Sequence, residues 1–318
     1  MDREREMAEA RSKMAVRRRG GVRRRSEKRL IALAFRAGGN QNLKGEFAIF
    51  NLEEAGSLPF QFGTGKAFAF KLAEKGLNLV LVSRNKTKLE QVSTEILVKC
   101  PEIEIRLFEL DFSEDVVSGI HRMKEEIKGL EIGILVNNVG VTYPGAMYFH
   151  EVDEKIWMNL VKVNVEGTSY VTKAVLNGMV QRKKGAIVNI GSGASVVVPS
   201  HPLYAIYAAT KAYVDQLSRS LYVEYKDSGI DVQCQVPLYV CTKMASKVAF
   251  VEKSSVFIPS AEKYVEAAVR WIGHETRCTP YWPHSLQWFF ASMLNDALLD
   301  AWRLSIGIKR KEYPTPTS

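Results

Sequence analysis

The chain has 318 residues, 46% of them hydrophobic and 25% charged, the balance of an ordinary soluble globular protein with room for one large core or two modest ones. Its net charge of +9 would suggest a polyanionic partner, but fourteen Lys and Arg against five Asp and Glu fall in residues 1–45, which leaves a neutral body for which no nucleic-acid partner is expected. Four scattered cysteines without a C-x-x-C pair, and five scattered histidines, argue against a zinc site, a disulfide framework or another metal centre.

Residues 1–45 read as a basic, disordered tail, with Arg17-Arg18-Arg19-Gly20-Gly21 and Arg23-Arg24-Arg25 in a polar, turn-rich setting. Its composition fits a transit peptide, a nuclear-localisation or nucleic-acid patch, or a solvated tail of no specific role. The apolar run from Leu30 to Phe35 is far too short to span a bilayer. The body follows. Phe47-Ala48-Ile49-Phe50 can serve as a first strand only with an insertion before Gly63. A helix is expected from Lys66 to Lys75, then a buried parallel strand over Leu77–Val82 that ends at Ser83-Arg84-Asn85. Next come a helix over Lys86–Val98, a strand over Ile103–Leu110 ending at Asp111, and a strand over Ile132–Val136 running into Asn137-Asn138-Val139-Gly140. A long helix over about 154–181 leads to the strand Ala186–Ile190, then the helix of Tyr207, then a strand from Ile230 to Val236. Strands alternating with helices give an α/β fold, a doubly wound, mostly parallel sheet of Rossmann type, taken here as one domain over 46–278. Ligands in such sheets sit beyond the carboxyl ends of the strands, where Arg84, Asp111, Asn137 and Ser192 fall. Residues 279–318 form an aromatic, amphipathic extension ending in Lys309-Arg310-Lys311. Asp296, Asp300 and Arg303 share one helical face and make it a poor spanning helix. It suits an interfacial membrane anchor, or equally a helix that caps the core or forms a dimer contact.

Tyr207 and Lys211, four residues apart, lie on one helix face, so an ammonium sits beneath a phenol and favours the phenolate. A phenol tuned that way exchanges a proton near neutral pH. Ser192, just past its strand, is placed to hold a substrate carbonyl, although a Gly-Ser-Gly loop also serves a turn and Ser195 lies nearby. Arg84 suits a ribose 2′-phosphate, and no acid at 83–85 offers itself to a free 2′-hydroxyl, which favours NADPH over NADH.

Asn137-Asn138-Val139-Gly140, Asn164 in Val163-Asn164-Val165, Asn189-Ile190-Gly191-Ser192-Gly193 and Tyr207 to Lys211 together resemble a short-chain dehydrogenase/reductase. Cys234-Gln235-Val236-Pro237-Leu238-Tyr239-Val240 and Pro280-Tyr281-Trp282-Pro283-His284 narrow the resemblance to the microsomal β-ketoacyl-CoA reductases of very-long-chain fatty acid elongation, in a form similar to the plant proteins. That resemblance implies NADPH-dependent reduction of a long-chain 3-oxoacyl-CoA at the cytosolic face of the endoplasmic reticulum membrane, beside other elongation enzymes. It implies catalysis by Tyr207, Lys211, Ser192 and Asn164, with Asn164 holding a water that relays protons to Lys211. It implies a cofactor held by Gly63, Gly65, Arg84, Asp111 on the adenine side, Asn137, Gly140, Tyr207 and Lys211, with Val240 and Thr242 at the nicotinamide carboxamide. A hydroxysteroid dehydrogenase uses the same site, and the stretch from Val240 to Ser260 is expected to separate the two substrates.

Two features depart from the family. Its cofactor loop, T-G-x-x-x-G-x-G, keeps only its end here, as Gly63-Thr64-Gly65-Lys66; its first glycine falls on Pro59, which has no N–H and a fixed φ. An Arg-rich tail stands where the family's amino-terminal membrane helix is expected. Both point to an alternative or wrongly joined 5′ portion of the coding sequence, and they admit a catalytically impaired scaffold subunit as an alternative to an active enzyme.

Overall fold

The computed structural model describes residues 45–52, 63–249, 251 and 253–312. The basic tail and the altered loop residues Leu58 to Phe62 lie outside the described residues. The first half runs β1 (Phe47–Asn51), α1 (Thr64–Ala73), β2 (Asn78–Ser83), α2 (Lys86–Lys99), β3 (Ile105–Glu109), α3 (Val116–Glu126) and β4 (Ile132–Asn137). The second runs α4 (Glu154–Val161), α5 (Thr168–Arg182), β5 (Gly185–Ile190), the short α6 (Gly193–Val196), α7 (Ala205–Tyr225), β6 (Ile230–Gln235), α8 (Lys243–Ala249), α9 (Ala261–Arg270), β7 (Arg277–Cys278), α10 (Trp282–Ser292) and α11 (Asp296–Glu312).

All seven strands are parallel, in the order β3-β2-β1-β4-β5-β6-β7. The doubly wound sheet expected from the sequence is therefore present, and Phe47–Phe50 is its first strand. β1 lies between β2 and β4, where the winding reverses, and such a reversal leaves a crevice at the carboxyl ends of the strands. Its five residues are all buried because alternate side chains feed the two layers. Ala48 and Phe50 pack with Leu72, Leu89 and Tyr264 on one face; Phe47 and Ile49 pack with Met123, Val171 and Met179 on the other. Each such large side chain taken from water is worth about 1.5–3 kcal/mol, so the cofactor-side edge of the sheet rests on a two-faced core.

Two expectations change. The helix over about 154–181 is present, but it widens to a π turn at Lys162–Gly167 between α4 and α5. The cause is tertiary. Asn164, in that turn, has its side chain tied to the loop after β4 and to α7, and local propensity does not report such ties. The second change concerns the extension from residue 279, whose described residues, up to 312, fold as two helices. Pro283 stands in the first turn of α10, where its missing N–H costs nothing, and the chain breaks before α11. The polar face of α11 turns inward: Asp300 accepts from Ser200, and Arg303, 7% exposed, reaches His201. Leu298 and Trp302 stay more than half exposed. Among the described residues no helix is long and apolar enough to cross a membrane.

Candidate active site

The carboxyl ends of β4, β5 and β6, the start of α1 and the amino-terminal half of α7 line a cleft of about 960 Å³. Thr64, Asn138, Gly140, Ser192, Tyr207, Lys211, Val240 and Thr242 all line it. Lys211 is 5% exposed, and its Nζ donates to the Ile190 carbonyl at 3.0 Å, which fixes the ammonium at the end of β5. Gly140 allows this approach, because a Cβ there would lie 3.0 Å from Lys211 Nζ and 3.5 Å from Asn164 Oδ1.

Asn164 uses both of its amide hydrogens and one of the two acceptor sites on its oxygen. Its Oδ1 accepts from the Val141 N–H at 2.8 Å, and its Nδ2 donates to the Val141 carbonyl at 3.0 Å and to Thr210 Oγ1 at 2.9 Å. Thr210 in turn donates to the Tyr207 carbonyl at 2.8 Å, so the π turn, the loop after β4 and the Tyr207 helix are locked together. Such locking is what a preorganised site requires. Ser192 caps α6: its Oγ accepts from the Ala194 N–H at 3.2 Å and faces the cleft wall. Ser195 does not line the cleft; its hydroxyl donates to the Ser192 carbonyl at 3.1 Å.

The remaining expected cofactor residues divide. Gly63 caps α1, and Gly65 is required by close packing, since a Cβ there would meet Asn138 Nδ2 at 2.7 Å and the Asn51 carbonyl at 3.2 Å. Arg84 is exposed at the end of β2. Asp111 stands just past β3, its carboxylate accepting from the Ser113 N–H at 2.8 Å and hydroxyl at 2.6 Å. Both lie at the carboxyl edge of the sheet but outside the cleft wall. Asn137 is not part of that wall either. Its Nδ2 donates to Asn189 at 2.8 Å and to Thr172 at 2.9 Å, and Asn189 donates to Ser218 at 2.9 Å, a buried amide ladder across β4, β5 and α7. The cleft residue is its neighbour Asn138, whose Oδ1 accepts from Thr64 at 2.6 Å while its buried Nδ2 has no partner.

Thr64 and Asn138 were not anticipated from the sequence, nor was the far wall. That wall comes from Leu286, Phe290 and Ala291 of α10 and from Leu298, Leu299 and Trp302 of α11, while Val240, Thr242, Met244, Ala245 and Phe257 of the stretch Val240–Ser260 line the cleft as well. Arg303, Arg310, His201 and Tyr239 complete that end.

The sequence profile described as short chain dehydrogenase matches residues 61–252. The chain belongs to that family. It is 59% identical to a very-long-chain 3-oxoacyl-CoA reductase-like protein of Arabidopsis thaliana over 78% of this chain and 79% of that one. It is also 42% identical to the human inactive hydroxysteroid dehydrogenase-like protein 1, over 74% of this chain and 70% of that one. Among solved structures, a short-chain dehydrogenase from Sphingobium yanoikuyae in complex with NADPH superposes with a TM-score of 0.63 at 25% identity, covering 80% of this chain and 95% of that one.

Proposed function

We propose that the chain is an NADPH-dependent reductase of long-chain 3-oxoacyl-CoA thioesters. One observation carries this: a single cleft joins Ser192, Tyr207 and Lys211 to an open apolar wall built by α10 and α11, which suits an acyl chain. The name of the Arabidopsis relative supports the same substrate class.

The residues present fit a dinucleotide. Gly65 lets the start of α1 pack close against Asn51 and Asn138, and the Asn138 Nδ2 in the cleft wall is a buried donor that, among the described residues, lacks an acceptor. Thr64, Gly65, Asn138, Gly140, Val240 and Thr242 would hold the cofactor, with Gly63, Arg84, Asp111 and Asn137 supporting that edge of the sheet. When bound, NADPH supplies the hydride. Ser192 Oγ holds the 3-oxo oxygen by hydrogen bonding, and Tyr207 donates its phenolic proton to the nascent alkoxide. Lys211, held by the Ile190 carbonyl, places its positive charge below that phenol and favours the phenolate that results. Asn164 fixes the backbone of Val141 and, through Thr210, the start of α7, and the second lone pair of its Oδ1 is left to hold a water. Its part is to hold the relay's geometry.

Residues 46–278 make up the reductase unit and 279–318 its extension, of which α10 and α11 wall the cleft. The exposed Trp282, Phe289, Phe290, Met293 and Trp302 support attachment to the cytosolic face of the endoplasmic reticulum membrane, beside the other elongation enzymes. A second reading, a non-catalytic subunit, is favoured by the human relative whose name calls it inactive. Titration of NADPH against tryptophan fluorescence, followed by product analysis with a long-chain 3-oxoacyl-CoA and with a ring ketone, separates these. Saturable NADPH binding and a 3-hydroxyacyl-CoA product support the reductase. Saturable binding with no product from the thioester overturns it, and absence of binding supports the non-catalytic subunit.

A further inference from the structure

The carboxyl-terminal helix α11 brings two guanidiniums to the cleft without a carboxylate to balance them. Arg303, 7% exposed, donates from Nη2 to the ring of His201 at 2.7 Å, and its buried Nε has no partner. Arg310, about two turns further on, donates to the Tyr239 hydroxyl at 3.0 Å. Both line the cleft, and among the described residues neither forms an ion pair. Of the carboxylates on or against α11, Asp300 accepts from Ser200, Glu151 pairs with Lys311, and Asp296 and Glu312 are exposed. His201 offers no compensating charge in either direction, because burial, then Arg303 and Arg310, push it down to about 3 and leave it neutral. Burial would raise the Tyr239 phenol, yet Arg310 and Arg303 outweigh it and hold it below its ordinary value, as an excess of positive charge would.

Two like charges beside an apolar wall, one of them buried with an unused donor, repel each other until an anion joins them. A planar fork of N–H donors matches a phosphate, which two arginines can share. We propose that Arg303 and Arg310 bind a phosphate of the coenzyme A portion of the substrate, so that the far end of the cleft recognises the carrier while Tyr207 acts on the acyl group. This rests on the 3-oxoacyl-CoA reading above. NADPH also carries phosphates, but its cradle at Thr64, Gly65 and Asn138 is built from different elements at the sheet end of the cleft.

The test uses the full chain with NADPH present, and Arg310→Gln and Arg303→Gln beside it. Calorimetric titration with free coenzyme A should show binding to the parent chain that weakens at least about tenfold in each variant, while the affinity for NADPH shifts far less. With 3-oxoacyl thioesters, KM for the coenzyme A form should rise about tenfold more than KM for the N-acetylcysteamine form, which lacks phosphates. Arg303→Gln removes a buried group, so Arg310→Gln, at a half-buried position, decides the matter if the former does not fold. Coenzyme A that binds the parent and Arg310→Gln equally, or fails to bind the parent, overturns the proposal, as does an equal rise in both KM values. Should neither thioester be reduced, the reductase reading falls, and the coenzyme A titration still decides for or against the arginines.

Discussion

The two ends of the cleft are built by opposite rules. At the sheet end the polar groups around the reacting residues are matched, with Asn138 Nδ2 the exception: Asn164 makes three hydrogen bonds, Lys211 is fixed on the Ile190 carbonyl, and the Asn137–Asn189–Ser218 ladder ties the strands to α7. At the helix end Phe290, Leu298 and Trp302 remain more than half exposed, and Arg303 and Arg310 lack carboxylates. Reacting groups gain from being held in place before substrate arrives. A surface that recognises a large flexible substrate is completed by that substrate. Changes at the sheet end should therefore act on kcat, and changes at the helix end on KM.

The largest effect should come from Tyr207→Phe, which removes the proton donor and keeps the ring. We expect kcat to fall by about 10²–10⁴ with NADPH affinity retained, read from steady-state rates and a cofactor titration. A loss seen only in KM would break the comparison. Gly140→Ala drives a Cβ against Lys211 Nζ and Asn164 Oδ1, and misplacing the ammonium should lower kcat roughly ten- to a hundredfold. Asn164→Ala leaves the Val141 N–H and carbonyl unsatisfied and should cost about 1–3 kcal/mol in urea denaturation, besides lowering kcat. At the other end, Phe290→Ser with Leu298→Ser removes apolar surface that is only partly buried. KM for a long-chain thioester should rise about three- to tenfold, and KM for a four-carbon one should hardly change.

The smallest effect is on stability with pH. His284, completely buried, is held at about 4, mainly by burial, with its hydrogen bonds to backbone working partly against that. Its Nδ1 accepts from the Leu238 N–H at 3.3 Å, which leaves Nε2 to donate to the Tyr239 carbonyl at 3.2 Å, as a neutral ring can. In the unfolded chain the ring takes its proton near pH 6.5, so between 6.5 and about 4 the unfolded state binds more protons. Stability from this group is fully present above pH 6.5 and is lost as pH falls toward 4. The melting temperature should drop over that window, and His284→Gln should flatten the drop.

Much of the fold was legible because it depends on apolar runs. The strands expected over 77–82, 132–136, 186–190 and 230–236 appear within one residue of those bounds at most ends, and the pattern of winding follows from their alternation with helices. Four things were not legible. β7 has two residues, too few for any periodicity. The π turn at 162–167 depends on partners of Asn164 that lie 23 and 46 positions away in the chain. The roles of Asn137 and Asn138 were exchanged relative to expectation because β4 is buried on both faces, so burial does not say which neighbour turns to the cleft. The wall from α10 and α11 was hidden for a related reason. An exposed apolar helix face looks the same in sequence whether it meets a membrane, a partner or a substrate.

The most direct test is the rate of NADPH oxidation by the full chain as the acyl group of a 3-oxoacyl-CoA is lengthened from four to about eighteen carbons, a span that the apolar wall would cover. The account predicts oxidation with kcat nearly constant and KM falling as the chain grows. No oxidation at any length, despite saturable NADPH binding, or a KM indifferent to length, would contradict it.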